Sequence, residues 1–116
     1  MTKEEASRRY RIPPHILDEY ESWGFCGKND KNIGDRQYDQ TDIERLSLIM
    51  TLHDVGFSGA EAERYMRLAL SDKDTSKERT EMLRKKRNGT LDEIHTKQEQ
   101  LDRLDFLRFE ITKSNH

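Results

Sequence analysis

The chain has 116 residues, a formal net charge of -2, 38% charged residues and 32% hydrophobic residues. This length fits one small domain, and the scarcity of apolar residues favours amphipathic helices that share a core with a partner. The charge balance lacks the strong basic excess of a dedicated nucleic-acid-binding domain, so any DNA affinity has to come from local basic patches.

Cysteine usage and the N-terminal sequence bear on the cellular compartment. Cys26 is the single cysteine and cannot form an internal disulfide. A lone thiol can act as a redox sensor, but an inert side chain is the more frequent case. The first residues contain no apolar stretch that indicates a signal peptide or a membrane span. We therefore expect a cytoplasmic protein that does not bind membranes.

The first part of the chain predicts two short helices separated by a tight turn. Thr2 and Glu5 have the spacing of a capping box, which opens the first helix. Pro13 and Pro14 end this helix and begin another over residues 14–23, because proline is tolerated only in a first helical turn. Gly24 follows where a C-terminal cap belongs.

The second helix has two chemically different faces. Its apolar residues are Ile16, Leu17, Tyr20 and Trp23. The polar residues expected on the opposite face are His15, Asp18, Glu19 and Ser22. Such a division predicts one buried face and one face available to a partner or to solvent.

Residues 26–40 are polar and contain two glycines, which indicates a loop or a short two-stranded wing. Thr41 with Glu44 and Ser58 with Glu61 repeat the capping-box spacing and predict two further helices, the first closing at Gly56. Their predicted core-facing residues are Ile43, Leu46, Ile49, Met50, Leu52, Ala62, Tyr65, Met66 and Ala69.

A last helix carries the repeat of a coiled-coil seam after the charged residues 71–81. The seam consists of Leu91, Ile94, Gln98, Leu101, Leu104, Leu107 and Ile111. Leaving five or six such side chains in water would forfeit on the order of 10 kcal/mol. The simplest way to bury these side chains is a homodimer. The alternative is that the last helix folds back onto the first helices of the same chain. A second alternative is that this helix breaks at Asn88–Gly89, with Thr90 and Glu93 as a further capping box that starts a new helix.

Two stretches of the sequence carry a family resemblance. Residues 36–66, "RQYDQTDIERLSLIMTLHDVGFSGAEAERYM", resemble the conserved block of the MerR family of bacterial transcription regulators, in which Arg-x-Tyr precedes Asp, a leucine-rich helix, Gly-Phe-Ser and another helix. Residues 12–25, "IPPHILDEYESWGF", resemble that family's second helix. Residues 79–111 look like the dimerisation helix of its short members, so the resemblance covers nearly the whole chain.

The resemblance implies a mainly α fold in which a winged helix-turn-helix unit, residues 1–70, precedes a coiled-coil dimerisation helix, residues 75–113. It also implies a homodimer that binds double-stranded promoter DNA. The second helix enters a major groove, the wing contacts the backbone, and the dimer bends and untwists the promoter spacer. Short members lack a separate effector domain.

Four positions depart from the family pattern, because acids occupy places where basic or aromatic DNA contacts occur. They are Asp18, Glu19, Asp30 and Asp35. Such charges oppose phosphate binding, although a carboxylate can accept a hydrogen bond from cytosine. The remaining candidate DNA contacts are His15, Arg36, Tyr38, Arg8, Arg9, Arg11, Lys28 and Lys31. For Arg36 and Tyr38 a structural pairing within the wing is the alternative.

No motif indicates an enzyme, a cofactor or a metal. The cysteines that the family's metal sensors carry around the dimer helix have no counterpart here, and His95 with Glu99 supplies only two ligands. Two functions remain. The favoured one is a DNA-binding transcription regulator; the alternative is an interaction module that keeps the scaffold and binds a basic protein through its acidic face.

Overall fold

A computed structural model describes residues 1–25 and 37–114 and contains five α-helices in those ranges. The helices are α1 (Lys3–Tyr10), α2 (Pro14–Ser22), α3 (Gln40–Asp54), α4 (Gly59–Ala69) and α5 (Ser76–Ser114). No strand occurs within the described ranges, and the predicted mainly α class is confirmed. The predicted wing falls largely on residues 26–36, which lie outside the described residues.

The chain divides into two compact units, Met1–Ser76 and Lys77–His116. In the first unit α2 packs against both α1 and α3, and α3 packs against α4. The buried apolar side chains are Ala6, Ile12, Ile16, Leu17, Tyr20, Tyr38, Ile43, Leu46, Ile49, Leu52, Phe57, Ala62 and Met66. This core fixes α2 from two sides, which leaves one face of the helix at the surface.

Two of the predicted helix starts are confirmed. The Thr2 Oγ1 atom accepts a 3.2 Å hydrogen bond from Glu5 N at the start of α1. The Ser58 Oγ atom accepts one of the same length from Glu61 N at the start of α4. In both helices the glutamate side chain accepts a hydrogen bond from the backbone N–H of the N-cap residue, which completes the capping box.

The predicted start of α3 is wrong by two residues. The N-cap is Asp39 rather than Thr41, and the reciprocal partner is Asp42 rather than Glu44. Asp39 Oδ1 accepts a 2.9 Å hydrogen bond from Asp42 N, and Asp42 Oδ2 accepts a 3.0 Å hydrogen bond from Asp39 N. The hydrogen bond from Asp42 N, the largest cause, lowers the pKa of Asp39. Aspartate therefore fulfils both capping roles here.

The corner between α3 and α4 is built on Gly56, as the sequence predicted. Gly56 has φ +99°, a conformation that favours glycine, and its N–H donates to His53 O at 3.0 Å. Phe57 N then donates to Leu52 O at 2.9 Å, and the Phe57 side chain is buried. The corner thus brings the last turn of α3 beside the first turn of α4.

The second unit is the α5 helix after its first residue. It runs without a break through Asn88 and Gly89, and Thr90 Oγ1 donates to Lys86 O at 3.0 Å inside the helix rather than capping a new one. Most of the predicted seam is exposed in the single chain, and two large apolar residues outside it, Phe106 and Phe109, are exposed as well. Among the described helices, none has the length and hydropathy to cross a membrane.

Candidate nucleic-acid interface

A tight turn joins α1 and α2. Arg11 caps α1 in the left-handed conformation at φ +55°, and its N–H donates to Ser7 O. Ser7 Oγ donates to Ile12 O at 2.7 Å, and Ile12 N donates to Ser7 O at 3.0 Å. Pro14 then occupies the first turn of α2, where its missing N–H costs no helical hydrogen bond. These contacts fix the helix-turn-helix geometry.

Basic side chains surround this turn at the surface. Arg8, Arg9 and Arg11 are exposed, and His15 is exposed in the first turn of α2. The Arg9 guanidinium lies 5.7 Å from the ring centroid of Tyr10. Among the described residues no carboxylate pairs with any of the three arginines. Their charges are thus available to a polyanion.

Two acids of α2 are paired with a lysine of α1. Lys3 Nζ lies 2.6 Å from Asp18 Oδ1 and 2.8 Å from Glu21 Oε1. Hydrogen bonding to Asp18, followed by that to Glu21, raises the pKa of Lys3. The Asp18 side chain remains 66% exposed. Asp18 is therefore on the predicted outer face, but a nearby ammonium group offsets its charge.

Glu19 departs from the sequence prediction, which placed it on the outer face of α2. Its Oε2 atom lies 3.2 Å from His53 Nε2, near the end of α3, and its side chain is only 28% exposed. A Cβ atom added at Gly59 would lie 3.4 Å from the same oxygen. Glu19 therefore faces the corner between α3 and α4, on the flank of α2 beside its apolar stripe.

A buried hydrogen bond connects α2 to α3. Tyr20 Oη donates to Asp42 Oδ1 at 2.6 Å, and both side chains are buried. Burial, followed by the hydrogen bond to Asp42, raises the pKa of Tyr20 to about 12. The neutral phenol is thus the stable form in the fold, and its hydrogen bond to Asp42 connects α2 to α3.

Two arginines hold the chain where it leaves α2. Arg45 Nη1 donates to Phe25 O at 2.9 Å, and Arg67 Nη2 donates to Trp23 O at 3.2 Å. The Arg67 guanidinium also lies 5.1 Å from the centroid of the Phe25 ring. Tyr38, which follows residues 26–36 in the sequence, donates its backbone N–H to Met1 O at 2.7 Å. Trp23, Phe25 and Tyr38 are thereby attached to the rest of the first unit.

The predicted DNA contacts fall into three groups. The exposed group around the turn consists of Arg8, Arg9, Arg11 and His15. Tyr38 is 2% exposed, so its ring is part of the core and presents no contact surface. The positions outside the described residues are Lys28, Lys31 and Arg36, together with the acids Asp30 and Asp35. Among the described residues, the candidate interface therefore consists of the turn and α2.

Sequence reasoning missed four residues that position α2 and its exit: Lys3, Arg45, His53 and Arg67. Each acts on a residue at least fifteen positions away, such as Lys3 on Asp18 and His53 on Glu19. Helical periodicity reports neighbours three or four positions apart, so it gives no signal for such pairs.

One comparison with known proteins gives a match. A family model described as MerR HTH family regulatory protein matches residues 1–69, which is more than half of the chain and includes α1 to α4. No individual curated protein and no solved structure matches. The helix-turn-helix of α1 and α2 lies within the matched residues. The chain therefore belongs to the MerR family of helix-turn-helix regulatory proteins.

Proposed function

We propose that the protein is a DNA-binding transcription regulator that acts as a homodimer at promoter DNA. The observation that carries this proposal is the helix-turn-helix of α1 and α2, whose exposed side bears arginines that pair with no carboxylate of the described residues. The second helix enters the major groove, and Arg8, Arg9 and Arg11 contact phosphates beside it. His15, exposed in the first turn of α2, lies at the groove edge.

The pairing of the α2 acids supports this function over a module that binds basic proteins. Asp18 and Glu21 share Lys3, and Glu19 faces His53. An acidic docking face requires carboxylates that are free to meet a partner's cations, whereas these carboxylates already have cationic or hydrogen-bonding partners within the chain. Their repulsion of DNA phosphates is reduced for the same reason.

The exposed seam of α5 supports the homodimer. Ile94, Leu101, Leu104, Leu107 and Ile111 are each more than half exposed in the single chain. Leu91, at the beginning of the same stripe, is half-buried. A second copy of α5 covers this stripe in a coiled coil, as its spacing of three and four residues requires.

A gel-shift titration on the promoter region beside the protein's own gene tests the proposal. We expect a saturable shift that survives excess unrelated DNA and weakens with salt, because phosphate contacts release counterions. The matched control is the variant with Arg8, Arg9 and Arg11 changed to glutamine, which should bind more weakly. Absence of a shift at low salt, with capture of a basic protein by the same sample, would support the interaction module instead.

A further inference from the structure

The His53 ring has an oxygen atom beside each of its nitrogens. Nδ1 lies 3.0 Å from the carbonyl oxygen of Phe57, and Nε2 lies 3.2 Å from Glu19 Oε2. A carbonyl and an ionised carboxylate can only accept hydrogen bonds. Either neutral tautomer of His53 therefore satisfies one contact and places a nitrogen lone pair against the other oxygen. The imidazolium form donates to both.

The Glu19 carboxylate lies close to α4 as well as to His53. The 3.4 Å distance from its Oε2 atom to a Cβ built at Gly59 places the carboxylate beside the first residue of α4. The amino end of a helix favours a negative charge through its exposed N–H groups and its dipole. The contact between Glu19 and His53 therefore connects α2 to the α3–α4 corner, at a position that favours a carboxylate.

We propose that Glu19 and His53 are positioning residues that hold α2 in its DNA-binding orientation when His53 is protonated, so that DNA affinity decreases as pH rises. The proposal rests on the proposed function, since it assigns α2 to the major groove. Loss of the proton removes one of the two hydrogen bonds of His53 and loosens the attachment of α2. The protein then responds to pH through the orientation of its recognition helix.

The charged and titratable groups around this pair determine how the test is designed. Glu19 is the charged group that faces His53 from α2, while the corner contributes the Phe57 carbonyl. Asp18 is next to Glu19 in sequence, but it pairs with Lys3 on α1. His15 is a second histidine, on α2, and it is exposed. Every variant therefore has to retain His15.

The first experiment compares Glu19→Gln with Asp18→Asn. Each substitution removes one negative charge from α2, but only Glu19→Gln alters the partner of His53. The glutamine amide donates to neutral Nε2 while Nδ1–H donates to Phe57 O, so this pair needs no added proton. The readout is the dissociation constant for the promoter fragment between about pH 5.5 and 8, the range in which histidine changes charge.

We expect native protein and Asp18→Asn to lose affinity together as pH rises. Glu19→Gln should lose about two- to fivefold less over the same range, which corresponds to the usual coupling of a partly exposed ion pair. Equal pH dependence in Glu19→Gln and Asp18→Asn would overturn the proposal, because the general effect of removing a charge from α2 is the same in both.

A second experiment needs no DNA and separates the two possible failures. Glu19→Gln, His53→Gln and the double variant form a thermodynamic cycle, in which urea unfolding at about pH 6 reports the coupling of the two side chains. We expect a coupling of about two- to fivefold in the unfolding equilibrium constant that is smaller at about pH 8. Additive effects at both pH values would overturn the pairing even if the protein binds DNA. A clear coupling in a protein that binds no promoter fragment would support the pairing and contradict the proposed function.

Discussion

Tyr20 of α2 donates a 2.6 Å hydrogen bond to Asp42 of α3, and the same aspartate starts α3 by accepting from Asp39 N through its other oxygen. One buried carboxylate thus performs a capping role and an interhelical role. Because Asp42 is only 7% exposed, removal of either partner leaves polar atoms with little access to water. The position of α2 and the first turn of α3 therefore depend on each other.

We predict that Tyr20→Phe lowers the free energy of unfolding by about 1–3 kcal/mol, the cost of leaving a buried hydrogen-bonding group without its partner. Urea unfolding followed by circular dichroism measures this change. Tyr10→Phe is the matched control, because Tyr10 is exposed and its removal should cost much less. Equal losses in the two variants would show that the Tyr20–Asp42 bond contributes no net stability.

We predict that Tyr20 ionises late in an alkaline titration. Its pKa is raised from 10.0 to about 12, mainly by burial, so the fold favours the protonated phenol. The corresponding stability is fully present below pH 10 and is lost as pH rises toward 12. Phenolate absorbance of native protein minus that of Tyr20→Phe should isolate this transition. A difference spectrum that develops near pH 10 would contradict the burial of Tyr20.

The start of α4 was predicted correctly from the sequence, whereas the start of α3 was not. Ser58 and Glu61 were enough to place the start of α4, because a capping box is complete within four residues. At α3 the sequence predicted Thr41 with Glu44, whereas the capping box consists of Asp39 with Asp42. The choice of Asp39 with Asp42 coincides with the hydrogen bond that Asp42 accepts from Tyr20, a tertiary contact between residues 22 positions apart.

In the candidate site, too, local features were predictable from the sequence and tertiary contacts were not. Arg8, Arg9 and Arg11 were named from the sequence as candidate DNA contacts, and all three are exposed. The direction of Glu19 was not predictable, because it lies at the border of the buried and exposed faces of α2. A side chain at such a border can point toward solvent or toward a neighbouring helix. Here His53, 34 positions later in the sequence, provides the partner.

We predict that changing Arg8, Arg9 and Arg11 to glutamine weakens DNA binding on related and unrelated sequences alike, since phosphate contacts carry no base information. The slope of log affinity against log salt should fall by about 0.9 for each phosphate that is no longer neutralised. The control changes the exposed residues Lys73, Lys77 and Lys85 to glutamine, which removes the same charge elsewhere. Equal losses in the two triple variants would indicate a general charge effect.

We predict that Asp18→Arg raises DNA affinity, because it places a cation on the exposed side of α2 at the cost of the ion pair with Lys3. One additional phosphate contact per subunit should steepen the salt slope by about 0.9. Adding Glu19→Tyr should reduce part of this gain, since that change removes the partner of His53. Fluorescence anisotropy over a series of salt concentrations measures both effects. An unchanged affinity and slope for Asp18→Arg would mean that this side of α2 does not face DNA.

We predict that Leu101→Asp with Leu104→Asp dissociates the homodimer, because two carboxylates in an apolar seam lose hydration without gaining partners. Sedimentation at micromolar concentration should change from dimer to monomer. The matched control is Thr96→Asp with Lys85→Gln, which changes the charge by the same amount at exposed positions whose neighbours three and four residues away lie outside the seam. A native protein that sediments as a monomer would contradict the prediction at once.

The two arginines that hold the exit of α2 bind main-chain oxygens, Phe25 O and Trp23 O, and the far side of the segment is attached through Tyr38 N. Backbone atoms of this kind are supplied by almost any amino acid. Substitutions at Trp23 or Phe25 therefore leave both acceptor atoms in place, so the exit of α2 tolerates changes of sequence at these two positions.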